Sequence, residues 1–352
     1  MHMKFATATA VLMLTTATAV AQSVVFVPEG SADMVRMVNA ETGETIKLIP
    51  GLEAVHGLSG ASGVPYLVAG SYVETDRAAI AEMAQPEGVS EDEHAVHHAK
   101  PAEQSIGPAD AGISILSVLD AKSGEILRRI EVPGAVHHTA VSPDGRFAVA
   151  THPSGDGISV VDLNTFKLTA FVPTGSMPNY AEFGSDPSIV YVSNAGNGTI
   201  SEVDLDRGIV RRNMVAGFAP EHIVMDAEND VLYAADADAG DVIELSVRDG
   251  TVLRSFAIGG ELHGLDLSDD RSTLFVAGRG EDKIAAIALS SGMVTTAPLF
   301  PEPYHLTNLP GTGTLFVSSR GEPKVWIVDE ATLTAVGDFT IEGEGHQMVA
   351  LR

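Results

Sequence analysis

The chain has 352 residues, enough for one large core or two domains, and 45% of them are hydrophobic, which excludes a disordered chain. Its 47 acidic against 21 basic side chains leave a formal net charge of −26, which argues against nucleic acid or an anionic membrane as partner. It contains no cysteine, so a disulfide framework, a thiolate metal site and a cysteine nucleophile are excluded.

Lys4 is followed by an apolar, Ala/Thr-rich run from Phe5 to Val20, and Ala19-Val20-Ala21 offers a small-x-small cleavage site. Residues 1–21 read as a secretory signal peptide, cut before Gln22, and place the mature chain, residues 22–352, in the periplasm. No later stretch is long and apolar enough to span a membrane, so no membrane insertion is expected after cleavage.

Three β-rich runs open the mature chain, at Val24–Val27, Met34–Val38 and Thr45–Ile49. A repeating unit starts at His56 and is interrupted by an insertion of about 76–111. Five further units follow without gaps, from His138, Tyr180, His222, His263 and His305. Each begins with a short apolar strand, passes a polar turn such as Ser142-Pro143-Asp144-Gly145, and continues through three more runs. Four short strands in a period near 42 is the signature of a propeller blade. A last unit begins at His346 and holds one strand only, so its missing three are supplied by the first three runs of the chain. The expectation is an all-β, seven-bladed β-propeller whose closing blade is stitched from both termini.

Tyr191-Val192-Ser193-Asn194 and Val141-Ser142-Pro143-Asp144-Gly145 resemble the blade pattern of the YVTN family of β-propeller repeats. The resemblance covers nearly all of the mature chain and implies the fold far more than the function.

In blade order, the residue at the start of each unit's first strand is His56, His138, Tyr180, His222, His263, His305 and His346, with spacings after His138 of 42, 42, 41, 42 and 41. Only 12 of 352 residues are histidine, so six in seven equivalent places point to a site. The position starts the innermost strand, which lines the channel. Imidazole suits Zn, Cu, Ni and Fe, and a single zinc, with four ligands, can use only part of such a ring. Glu53, Glu221, Glu261, Glu302 and Glu344 precede several of these histidines, either as partners that orient the imidazoles or as ordinary loop acids. His137 and His152 are additional candidates near the ring.

The insertion carries Glu91-Asp92-Glu93-His94-Ala95-Val96-His97-His98, an acidic, histidine-rich composition that fits metal capture by His94, His97 and His98.

The export signal, the channel histidines and the 91–98 loop together resemble the AztD family of periplasmic zinc metallochaperones. That resemblance implies a monomeric, non-catalytic protein that binds Zn²⁺, with Cu²⁺ as the alternative ion. It also implies delivery to the solute-binding protein of a zinc ABC transporter. The competing readings are a copper- or haem-dependent propeller redox enzyme and a YVTN-type interaction scaffold. No Gly-x-Ser-x-Gly elbow on a strand-to-helix turn and no glycine-rich phosphate loop opening a helix is present.

Overall fold

The computed structural model describes residues 23–76, 106–108 and 110–351. Residues 1–21, expected to be a signal peptide, and the insertion histidines His94, His97 and His98 lie outside these residues. No described helix is long and apolar enough to cross a membrane.

Seven four-stranded antiparallel sheets form the ring, which establishes the seven-bladed propeller. Six blades are continuous in sequence, and their inner strands are Val55–Gly60, Thr139–Val141, Pro178–Phe183, Pro220–Asp226, Leu265–Leu267 and Pro303–Leu309 (blades 1 to 6). The second strands are buried almost throughout and mostly apolar, because each blade is packed on both faces. In Val231–Asp236, Leu232 and Ala234 join the cluster shared with blade 3, while Tyr233 and Ala235 join the one shared with blade 5. The core is therefore a set of inter-blade clusters rather than one centre. The outermost strands, such as Ile209–Val215, leave alternate residues exposed. A register shift interrupts the outermost pairing in six of the seven blades, which twists the free edge and blunts it as a template for another strand.

Blade 7 closes the ring as the sequence implies. Its inner strand, Val349–Leu351, pairs with Val24–Glu29 through Val24↔Leu351, Val25↔Ala350 and Phe26↔Val349. At the end of Val24–Glu29, the buried Glu29 carboxylate receives the backbone N–H of Glu342 (2.5 Å) and Gly343 (3.1 Å). Arg36 Nε donates to the same carboxylate at 2.5 Å. A buried carboxylate is stable only with such partners.

Register along the inner strands defines the channel. Leu58↔Ala69, Thr139↔Ala150, Ala181↔Val192, Ile223↔Ala234, Leu265↔Val276 and Leu306↔Val317 are equivalent pairs in blades 1 to 6. The residues just before them form one tier: Gly57, His138, Tyr180, His222, Gly264 and His305. One residue earlier lies an upper tier: His56, His137, Asn179, Glu221, His263 and Tyr304. The 42-residue step from blade 6 puts His346 in the upper tier and Gln347 in the lower. The histidines expected at one level thus occupy two adjacent levels.

Candidate metal centre

Two glycines make the tiers possible. A Cβ on Gly57 would stand 2.9 Å from the backbone of His138, and one on Gly264 would stand 2.7 Å from Tyr304 O and 3.0 Å from His305 Cα. Where blades 1 and 5 present glycine, the backbone of the next blade moves in and carries its lower-tier histidine to the axis.

The ring nitrogens converge there. His305 Nε2 lies 3.1 Å from His263 Nε2 and 3.4 Å from His138 Nε2. One ligand nitrogen from each of His138, His263, His305 and His346 lies within 4.8 Å of the others, and all four residues are buried. Tetrahedral zinc with Zn–N bonds near 2.0–2.1 Å holds its ligand nitrogens about 3.3–3.4 Å apart, close to the two separations at His305. A second group, His56, His137 and His346, lies nearer the mouth and is partly exposed, sharing His346 with the first.

Hydrogen bonds select the tautomers. His138 Nδ1 faces the Asn179 carbonyl at 2.8 Å and His56 Nδ1 faces that of His137 at 2.9 Å. A carbonyl only accepts, so each Nδ1 carries the hydrogen and each Nε2 keeps its lone pair. His263 Nδ1 donates to Glu221 Oε2 at 3.0 Å with the same result. His346 Nε2 meets the Tyr304 hydroxyl at 3.2 Å, while its buried Nδ1 has no hydrogen-bond partner among the described residues. A desolvated ring nitrogen without a partner is costly, and a metal ion would satisfy it.

Burial first, then the neighbouring imidazoles, keeps the rings of His56, His138, His305 and His346 neutral. His56 is lowered from 6.5 to about 3. His138, His305 and His346 are held well below 6.5. Burial likewise lowers His137 to about 4, against the pull of the Asn179 carbonyl. Neutral imidazoles are metal donors and imidazolium ions are not. Glu221 is pushed up by burial, yet the hydrogen bond from His263 works against that, and its carboxyl is held below the ordinary range.

Not every predicted residue joins the cluster. His222 Nδ1 accepts the Leu265 N–H at 2.6 Å, so the neutral ring carries its hydrogen on Nε2 and offers no free lone pair. Its ring packs edge-on against Tyr180 at 3.9 Å. His152 is fully engaged by the Gly134 and Ala135 carbonyls and Ser159 Oγ (3.1, 3.0 and 2.8 Å), a structural histidine inside blade 2. Of the acids, Glu221 orients a histidine, and it is the one on the following blade. Glu261 pairs with Arg279 at 2.8 Å and Glu344 with Arg320. Glu53 is exposed.

The sequence reading gave no role to Tyr304, which stacks on His263 at 4.0 Å and reaches His346. Gln347 was also missed. It donates to Thr139 O (3.0 Å) and Tyr180 Oη (3.1 Å) and accepts from the Leu58 and Thr139 amides, plugging the channel beneath the histidines. Beyond this plug lies a cavity of about 320 Å³ lined by Ser59, Glu182, His222 and Asp266 among others.

The insertion joins the propeller beside the mouth. Thr75 and Ile113 exchange two backbone hydrogen bonds of 2.8 Å at its base. Tyr72, just before it, stacks on His56 at 4.8 Å.

No family model matches this chain, and no curated protein does. Among solved structures it is similar to a Bacteroides fragilis protein provisionally named a 6-phosphogluconolactonase (TM-score 0.71, 15% identity, covering 96% of this chain and 99% of that one). A Bacteroides uniformis protein provisionally given the same name is similar at TM-score 0.69 and 15% identity, over 94% and 99% of the two chains. The dihydro-haem d1 dehydrogenase NirN is similar at TM-score 0.62 and 13% identity, over 91% of this chain and 64% of that one. At these identities the likeness establishes the fold: the chain is a seven-bladed β-propeller with a buried histidine cluster in its channel.

Proposed function

We propose that this chain is an exported, non-catalytic zinc carrier that takes up Zn²⁺ in the propeller channel and passes it to the solute-binding protein of a zinc transporter, in the manner of the AztD-type metallochaperones. The observation that carries this reading is the approach of His138, His263 and His305 through their Nε2 atoms, with the orphaned Nδ1 of His346 beside them. Four imidazoles without a carboxylate ligand make a donor set for zinc or copper, not for magnesium or calcium. The mouth group of His56, His137 and His346 supports staged entry, since an ion there needs to exchange one ligand at a time to move inward. His94, His97 and His98 belong to this reading as the outer capture loop.

The test is a titration of metal-free protein with Zn²⁺ against a competing chelator. Wild type should bind tightly, and His263→Ala and His305→Ala should each lose at least tenfold in affinity, a scale set by the loss of one metal–nitrogen bond. Equal, weak binding by all three would sink the reading. Visible spectra separate the ions, because Zn²⁺ is colourless and Cu²⁺ is not. Deleting residues 91–98 should slow uptake or transfer while leaving the final affinity nearly unchanged.

A further inference from the structure

The exposed large apolar side chains of the described residues fall in two places. Some stand on outermost strands, as Val252 and Met293 do. The others, Tyr72, Val73, Ile106, Met177, Phe218 and Phe300, all stand in loops. Inner strands start, and second strands end, at the face where the histidine mouth opens, so loops entering an inner strand or leaving a second strand lie on that face. All six belong to this class. Loops on the opposite face, such as 142–146, 205–208 and 247–251, contribute none. Phe218 and Phe300 are 78% and 72% exposed. Among the described loops, exposed large apolar side chains are thus confined to the histidine face, as expected of an interaction site.

The charge of the same face restricts the partner. Among the described residues, its basic side chains Arg279, Lys283, Arg320 and Lys324 are each held by an acid, namely Glu261, Glu281, Glu344 and Glu322. Glu53 and Asp238 are exposed on this face with no ion pair among the described residues. A second copy of the chain would bring together two molecules that each carry a net charge of −26.

We infer that the histidine face is a docking face, and that its occupant is a metal-binding protein presenting an apolar patch bordered by lysine and arginine. Aromatic side chains set within a charged rim are the usual energetic anchors of such an interface. Docking there seats the partner over the mouth, so an ion can pass between proteins without release to water. The inference rests on the carrier reading and adds the face and the chemistry of the recipient.

The experiment is hydrogen–deuterium exchange on the zinc-loaded full chain, with and without the metal-free zinc solute-binding protein of the same organism. Protection is expected in loops 174–177, 216–219 and 299–302. A Phe218→Ser/Phe300→Ser variant should bind that protein about tenfold more weakly or worse, while a Val252→Ser/Met293→Ser variant binds as wild type does. Both variants should keep wild-type Zn²⁺ affinity. Protection on the opposite face, no protection anywhere, or equal binding by the two variants overturns the inference. If wild type binds no Zn²⁺, the carrier reading fails by itself, and protection of these loops still decides the docking face.

Discussion

His263 donates its Nδ1 hydrogen to a carboxylate oxygen of Glu221, a residue of the preceding blade, across 3.0 Å. The contact locks the ring with Nε2 toward His305 and makes that nitrogen a better donor. Glu221→Gln keeps the shape but can donate from its amide to Nδ1, which frees the ring to hold the wrong tautomer. The expected result is a loss of about 10–100-fold in Zn²⁺ affinity with an unchanged unfolding midpoint of the metal-free protein. An affinity equal to wild type in a chelator competition would remove Glu221 from the site.

Gly264 tests the packing that brings the tiers together. A methyl group there meets Tyr304 O, Leu306 N and His305 Cα at 2.7–3.0 Å, so backbone has to move. Gly264→Ala should cost about 1–3 kcal/mol of stability as an overpacked position. Zn²⁺ affinity should fall too, because His305 is displaced from His263 and His138. Denaturant unfolding of the metal-free chain and a zinc titration read the two effects separately. A variant as stable as wild type would show that the channel relaxes at no cost.

The fold was open to reading because each blade repeats its own four-strand pattern, and even the stitched closure followed from three surplus runs at Val24, Met34 and Thr45. The site was legible by residue type and obscured by one position. Third-strand residues Asp162, Asp204, Ser246, Ala288 and Asp329 are equivalent by register, and their spacings are 42, 42, 42 and 41. The histidines instead step 41 between His222 and His263. That early slip is the signal that His263 stands one tier above His222. The sequence pattern could not disclose the tautomers, since Asn179 O and Leu265 N–H act through backbone atoms that any residue supplies.

Stability of the metal-free chain should depend on pH from both directions. His56 and His137 titrate near 6.5 when unfolded but are lowered by burial to about 3 and about 4 in the fold. Between those values the unfolded chain binds more protons, so stability falls as pH drops from about 6.5 toward 3. Glu182 is pushed up to about 8, by burial and then by Asp266, from an ordinary 4.5. The fold therefore holds its proton where the unfolded chain has released it, and stability also declines as pH rises from about 4.5 to 8. Glu182→Gln has no proton to lose and should flatten that alkaline decline. Urea midpoints at pH 4, 6 and 8 for wild type and variant check both arms. An alkaline slope retained in full by Glu182→Gln would discount the carboxyl as its source.

The Glu29 clasp carries the largest expected effect on folding. Its carboxylate joins the first strand of the chain to the segment just before the last, through the Glu342 and Gly343 amides, and it is the partner of the buried Arg36 guanidinium. Glu29→Ala leaves Arg36 buried beside an exposed Glu342 as its remaining acid, at 3.6 Å, and strands two amides at the closing seam. Breaking one partner of a buried pair costs about 3–5 kcal/mol. The double variant Glu29→Ala/Arg36→Leu should recover part of that loss, because the uncompensated charge is gone while the two amides remain unpaired. Unfolding curves of wild type, both single variants and the double variant give the coupling directly. Additive losses would show that the pair is incidental and that closure rests on the strand pairing of Val24–Phe26 with Val349–Leu351 alone.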